Sequence, residues 1–98
     1  MAREVVHQLL ATDVALDKLG SRGISAEEAE QLLRNRHLTV RNPREPADRG
    51  KRLLLIGRTD GDRPLTLVIE RTVDPTTWLI VTGWVATEAE RKILQTRR

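Results

Sequence analysis

Basic side chains are concentrated in the second half of the chain. Residues 1–40 carry 5 Lys and Arg against 6 Asp and Glu, whereas residues 41–98 carry 12 against 8. Most of these cations are arginines, whose guanidinium group pairs with phosphate through two parallel hydrogen bonds. The densest run is "RNPREPADRGKR", with five basic residues in twelve: Arg41, Arg44, Arg49, Lys51 and Arg52. This run favours a surface that follows a phosphate backbone, although a solvated connection between strands has the same composition.

The chain has two aromatic residues, Trp78 and Trp84, and neither Phe nor Tyr. Trp78 follows a turn, and we expect it to fill the core. Trp84 ends a strand-like segment, where an indole is often partly exposed. It could pack against the core, or it could stack on an unpaired base, an interaction of about 1 to 3 kcal/mol.

Helical signals occur in three places. "TDVALDKLGSRG" predicts a short helix with Thr12 as cap and with Val14, Ala15 and Leu19 on one face. "ISAEEAEQLLRN" predicts a second helix, because Ser25 and Glu28 form a capping box and an apolar stripe follows. "ATEAERKILQTRR" predicts a C-terminal helix with Thr87 as its cap and Glu90 as the capping-box partner.

Between the second and third helices the apolar period changes from 3.6 to 2, which indicates strands. "LTVR" is a candidate edge strand. "KRLLLIGRT" and "PLTLVIERT" flank the turn sequence "DGDR" and predict a hairpin. "WLIVTGW" is the last strand, and "EVVHQLL" near the start of the chain favours a strand slightly over a helical turn.

Alternation along these strands predicts which side chains share a face. In the last strand it sets Trp78, Ile80, Thr82 and Trp84 against Leu79 and Val81. In the middle strand it sets Leu65, Leu67 and Ile69 against Thr66, Val68 and Glu70. Arg58 joins Thr66 and Glu70 if the hairpin loop has an odd number of residues, and it changes sides if the number is even.

These elements predict one α+β domain over residues 1–98. Its N-terminal helices are followed by an antiparallel sheet of about three to four strands and a C-terminal helix, with helices packed on one face of the sheet. We expect the other face to be the working surface, with an exposed apolar patch of Val68, Ile80 and Trp84.

Several function classes are excluded by what the sequence lacks. It has no Cys, and its two His are far apart, so thiolate and structural zinc sites are improbable. It has no Gly-Lys-Ser/Thr phosphate loop, no Gly-x-Gly-x-x-Gly motif and no serine elbow, and it implies no cofactor. No apolar run is long enough to span a membrane, and Glu4 and His7 stand where a signal peptide would be apolar. We expect a cytoplasmic protein.

The order of these segments resembles a known family. "GIS" before "AEEAEQLL", then "RLLLIGRT", "RPLTLVIE" and "ATEAER" after the last strand, is similar to the BrnT-like toxins of the RelE/ParE superfamily, over roughly residues 12 to 94. In that family an arginine ends the "IGR" strand, a second follows a glycine before the next strand, and a third lies in the final strand. Arg58 matches the first and Arg63 the second, with Asp62 interposed. Trp84 stands where the third is usual.

The resemblance implies a bacterial toxin-like endoribonuclease that cleaves RNA without a metal. Such cleavage needs cations to stabilise the charged phosphorane and groups that move protons. Arg58, Arg63 and Arg71 would supply charge, and Glu70 or His37 would move protons. RNA or the ribosome and a cognate antitoxin are the implied partners, and a homodimer is a further expected arrangement. The alternative is a domain of the same fold that binds RNA or protein without cleaving, which the exchange of an arginine for Trp84 favours.

Overall fold

The computed structural model describes residues 5–41 and 52–96. All of its strands lie in one sheet. The elements in chain order are β1 (Gln8–Ala11), α1 (Asp13–Gly20), α2 (Ala26–Arg34), β2 (His37–Arg41), β3 (Arg52–Arg58), β4 (Pro64–Arg71), β5 (Thr77–Val85) and α3 (Glu88–Thr96). The α+β class is confirmed. No helix in the two described ranges is both long enough and apolar enough to cross a membrane.

The sheet differs in detail from the prediction. It has five strands in the order β1-β5-β4-β3-β2, and a strand precedes the helices. β1 runs parallel to β5, with Leu9 beside Trp78 and Ala11 beside Ile80, so the sheet is mixed rather than antiparallel. The pairing joins segments almost 70 residues apart in sequence through a strand of only four residues, which is why local pattern did not reveal it.

Helix starts follow the local signals. Thr12 Oγ1 accepts a hydrogen bond from the Ala15 amide (3.1 Å), and α1 follows. At α2, Ser25 and Glu28 exchange the two hydrogen bonds of a capping box, each 3.1 Å long. Ala15 and Leu19 are buried as predicted, but Val14 is 64% exposed because it lies on the outer side of the first turn of α1.

The two faces of the sheet are both covered by helices, which corrects the expectation that helices pack on one side only. α1 and α2 pack on the first face over a cluster that includes Leu55, Leu67, Ile69 and Trp78. α3 packs on the second face, where Leu94 is buried with a smaller set of residues: Leu54, Ile56 and Val68. The predicted working face is therefore partly occupied by the protein's own C-terminal helix.

A β-bulge in β5 changes the predicted facing of its side chains. Ile69 pairs with Ile80, whereas Val68 pairs with Thr82, so Val81 is an extra residue in β5. An extra residue reverses the alternation beyond it. Trp78 and Ile80 therefore belong to the first face, and Val81 and Trp84 pack on the second. The prediction that Trp78, Ile80 and Trp84 share a side is wrong.

The predicted apolar patch is also absent. Val68 and Ile80 are both buried, and they lie in different core clusters.

Close packing continues beyond the bulge on the first face, where a Cβ built on Gly83 would lie 2.7 Å from Leu67 Cδ2 and 2.9 Å from Leu19 Cδ2. Glycine at this position lets α1 approach the sheet.

Candidate nucleic-acid interface

Arg58 occupies the last position of β3, beside a tightly bonded hairpin loop. The five loop residues 59–63 separate Arg58 from its partner Pro64. The buried Thr59 organises the loop: its amide donates to the Arg63 carbonyl (3.0 Å), and its hydroxyl accepts from the Arg63 amide (3.1 Å). Asp62 adopts a positive φ of 66°, a conformation that Asp tolerates better than most residues. The loop thus has an odd number of residues, and Arg58 lies on the face that carries Thr66, Glu70 and α3.

Arg58 itself is held loosely. Its Nη1 donates to the Asp62 carbonyl oxygen at 3.3 Å and lies 3.6 Å from Asp62 Oδ1, while the Asp62 side chain is 82% exposed. Both contacts are long for a charge-assisted hydrogen bond, which is typically 2.7 to 2.9 Å. The guanidinium therefore retains capacity to bind a second anion.

Two cavities adjoin at Arg58. The first, of about 370 Å³, lies between the hairpin loop, the end of α2 and α3, and is lined by Asn35, Arg36, Arg58, Thr59, Asp60, Asp62 and Leu94. The second, of about 400 Å³, lies between the hairpin and the outer side of α3, and is lined by Arg58, Pro64, Glu88, Arg91, Lys92 and Gln95. Arg58 is the cation common to both. We call Arg36, Arg58 and Arg91, with these two cavities, the Arg58 surface.

The charges around this surface are unequally paired. Arg34 bonds Asp60 at 3.2 Å, and Lys92 lies 3.8 Å from Glu88, so those cations have carboxylate neighbours. Arg36 and Arg91 are exposed, and within the described ranges neither side chain makes a hydrogen bond or ion pair. Three arginines thus line the Arg58 surface, and two of them have no carboxylate partner in the part of the chain that the structure describes.

Arg63 has a different environment from Arg58. Its Nη1 donates to the Gly23 carbonyl (2.8 Å) and to both oxygens of Glu28 (3.1 and 3.2 Å). Hydrogen bonding by the Ser25 backbone and the Arg63 side chain outweighs partial burial and lowers the pKa of Glu28. Arg63 thereby ties the hairpin to the start of α2.

Glu70 lies at the opposite end of the hairpin from Arg58. It pairs with Arg52 across the β3–β4 ladder, and Arg52 Nε donates to Glu70 Oε1 at 3.0 Å. Six residue steps along β3 separate Arg52 from Arg58, a distance of about 20 Å. The structure therefore does not bring Arg58, Arg63 and Glu70 into one constellation, and their catalytic roles stay predictions.

Trp84 is held by the start of α3. Its indole Nε1 donates to Glu90 Oε1 (3.0 Å), which also accepts from the Thr66 hydroxyl (2.8 Å) and the Thr87 amide (2.8 Å). Burial raises the pKa of Glu90, but these hydrogen bonds outweigh it and hold the pKa below its ordinary value. The residue is half-buried against the second core cluster, and stacking of its indole on a base stays a prediction.

The other predicted RNA-binding residues are only partly described. Arg41 ends β2 and is exposed, and Arg52 begins β3 in its ion pair with Glu70. Arg44, Arg49 and Lys51 lie outside the described residues. Arg36 and Arg91 were not predicted, because nothing local distinguishes them from other surface arginines and only the packing of α3 brings Arg91 beside Arg58.

The residues described provide no cluster of three His, Asp or Glu side chains suited to a metal ion. No protein-family model matches this sequence, and no curated protein is similar enough to be matched.

Proposed function

We propose that this protein binds single-stranded RNA without cleaving it, through the Arg58 surface. The observation that carries the proposal is the convergence of Arg36, Arg58 and Arg91 on two adjoining cavities. Among residues 5–41 and 52–96, two of these cations have no carboxylate partner. A guanidinium group binds a phosphate through two parallel hydrogen bonds, and successive phosphates of one strand can occupy neighbouring cavities. The resemblance to BrnT-like proteins favours RNA as the polyanion.

Binding is favoured over cleavage because neither proton-transfer candidate lies beside Arg58 on its face of the sheet. His37 pairs with Gly57 and lies on the α2 face, opposite Arg58. Glu70 is engaged by Arg52 about 20 Å along the sheet from Arg58. General acid or base catalysis requires hydrogen-bond reach of the reacting group. A phosphate held by Arg58 is out of reach of Glu70.

A toxin-like endoribonuclease, neutralised by an antitoxin, is the second candidate. One observation favours it: Asp62 and Asp60 share the first cavity with Arg58. A carboxylate beside a guanidinium could move a proton while the cation stabilises the phosphorane. In this version the acidic group comes from the hairpin loop rather than from Glu70.

Fluorescence anisotropy with a labelled single-stranded RNA tests binding. We expect Arg58→Ala to weaken binding about tenfold, since a charge-assisted contact to phosphate is lost, and to reduce the slope of log K against log salt by about 0.7. Arg36→Ala and Arg91→Ala should act in the same direction. Lys18→Ala, an exposed cation of α1 on the opposite face of the sheet, is the charge-matched control and should leave affinity unchanged.

The same mixtures, run on a denaturing gel, separate the two candidates. Intact RNA with Arg58-dependent binding supports the binding module. RNA cleaved by the unmodified protein but not by Arg58→Ala or Asp62→Asn, together with growth arrest on expression, supports the endoribonuclease. Equal affinity of the unmodified protein, Arg58→Ala and Lys18→Ala would refute the Arg58 surface in both.

A further inference from the structure

β1 is an edge strand, and no strand formed by residues 5–41 or 52–96 lies on its outer side. Gln8, Leu10 and Ala11 are exposed, and Leu10 is 45% exposed although it is a large apolar residue in a strand. Gln8–Ala11 contains no Lys, no Pro and no bulge, the devices that commonly prevent an edge from pairing with another chain. The opposite edge, β2, carries His37 and Arg41.

The outward backbone groups of β1 can be identified from its pairing with β5. The Gln8 amide donates to the Thr76 carbonyl of the strand entry (3.2 Å), so Gln8 faces inward. In a parallel ladder the N–H and C=O of one residue face the same neighbour, and successive residues alternate. Leu10 therefore also faces β5, while Leu9 and Ala11 direct their N–H and C=O groups away from the sheet.

We propose that two copies of this chain associate through β1, in antiparallel register about a two-fold axis at Leu10. Such an axis pairs Leu9 of one copy with Ala11 of the other. All four outward N–H groups then meet outward C=O groups. An axis at Leu9 would instead pair Ala11 with His7, whose amide already donates to Thr76 (2.9 Å). The backbone pattern therefore selects the register centred on Leu10.

Side chains agree with this register. Leu10 meets its own copy in a non-hydrogen-bonded pair, where side chains approach most closely. Val14, three residues after the end of β1, is a further exposed apolar residue in the first turn of α1. Gln8–Ala11 bears no formal charge, and the register directs the exposed His7 of one copy toward the exposed Asp13 of the other. Two copies therefore meet without like charges in the ladder.

The ladder is short, so this interface belongs to the small, transient class and depends on concentration. It lies at the sheet edge remote from β3, and it leaves the Arg58 surface of each copy open. The inference is thus independent of the proposed function.

Single-cysteine cross-linking provides a direct test, since the natural chain has no cysteine. In the proposed pair the two Leu10 Cα atoms are about 4.5 Å apart, within the range that a disulfide spans. Under mild oxidation, Leu10→Cys should form a dimer of twice the 11.1 kDa chain mass, at least about tenfold faster than the control Val85→Cys. Val85 has nearly the same exposure, 46%, at the end of β5.

Sedimentation equilibrium of the protein without cysteine provides the second measurement. The mean mass should rise with concentration, and Leu10→Lys should abolish the rise while its circular dichroism stays unchanged, because Leu10 is already exposed. Equal cross-linking rates for Leu10→Cys and Val85→Cys would overturn the proposal. A protein that stays monomeric at every concentration, or a dimer that Leu10→Lys leaves intact, would also overturn it.

Discussion

The two faces of the sheet differ in how completely they are closed. Among the described residues, the α1/α2 face contains twelve buried residues in one cluster, while the α3 face contains four, surrounded by half-buried Leu38, Val40, Val81 and Trp84. Burial of apolar area is the main source of stability. The first face should therefore dominate the free energy of unfolding, whereas the second, which adjoins both cavities at Arg58, has side chains available for binding.

The two tryptophans offer the largest contrast between the faces. Trp78 is 1% exposed, and its Nε1 donates to the Val5 carbonyl (3.1 Å), whereas Trp84 is half-buried. We expect Trp78→Ala to lower the free energy of unfolding by about 3 to 5 kcal/mol and Trp84→Ala by about 1 to 2 kcal/mol. Urea unfolding measures both, with Trp78→Phe as a milder variant if Trp78→Ala fails to fold. Equal losses would show that the α3 face is as closed as the first.

Substitutions of Glu90 test whether the hydrogen bonds that this side chain accepts stabilise the packing of α3 on the sheet. Because its pKa is lower in the folded than in the unfolded protein, its contribution is fully present above the unfolded-state pKa and is lost as pH falls through the folded-state value. We expect Glu90→Ala to cost about 1 to 2 kcal/mol at neutral pH, and Glu90→Gln to remove this part of the acid sensitivity.

Urea unfolding at neutral and acidic pH makes the Glu90 measurement. Glu88→Gln is the control, because the Glu88 side chain is 76% exposed. In the described ranges its one ion pair is with Lys92, at 3.8 Å. An acid sensitivity as large in Glu90→Gln as in the unmodified protein would contradict the assignment.

Substitutions of the two hairpin arginines, Arg58 and Arg63, should have the smallest effects on stability. They should also separate a binding role for Arg58 from a structural role for Arg63. Arg63→Ala loses bonds to Gly23 and Glu28, but both charged side chains are partly exposed, so we expect about 1 kcal/mol. Arg58→Ala should stay within about 0.5 kcal/mol. For RNA affinity we expect the opposite order, with Arg58→Ala weakening binding more than Arg63→Ala. Comparable losses of affinity for the two variants would mean that Arg63 also contacts the RNA.

Prediction from sequence succeeded where the interactions are local. The capping box joins Ser25 and Glu28, which are three positions apart, and Thr87 and Glu90 are joined at the same spacing. The β3–β4 hairpin and the facing of Leu65, Leu67 and Ile69 follow from a short loop and an unbroken alternation. Such patterns are decided within a few residues and need no knowledge of the remaining fold.

Most failures concern how one element pairs or packs against another. The bulge at Val81 depends on the register of β5 against β4, which β5 alone does not encode, and it moved Trp84 to the face opposite Trp78. The convergence of Arg36 and Arg91 on Arg58 required the packing of α2 and α3 around one loop.

By itself, the sequence determined the α+β class, the helix starts, the hairpin and the richness in arginine, because periodicity and capping act over one or two turns of chain. Only the tertiary structure decided which arginines meet, on which face of the sheet each tryptophan packs and which sheet edge is open. Those outcomes depend on pairings such as β1 with β5 and α3 with β3, for which many alternatives have similar local energy until the whole core is packed.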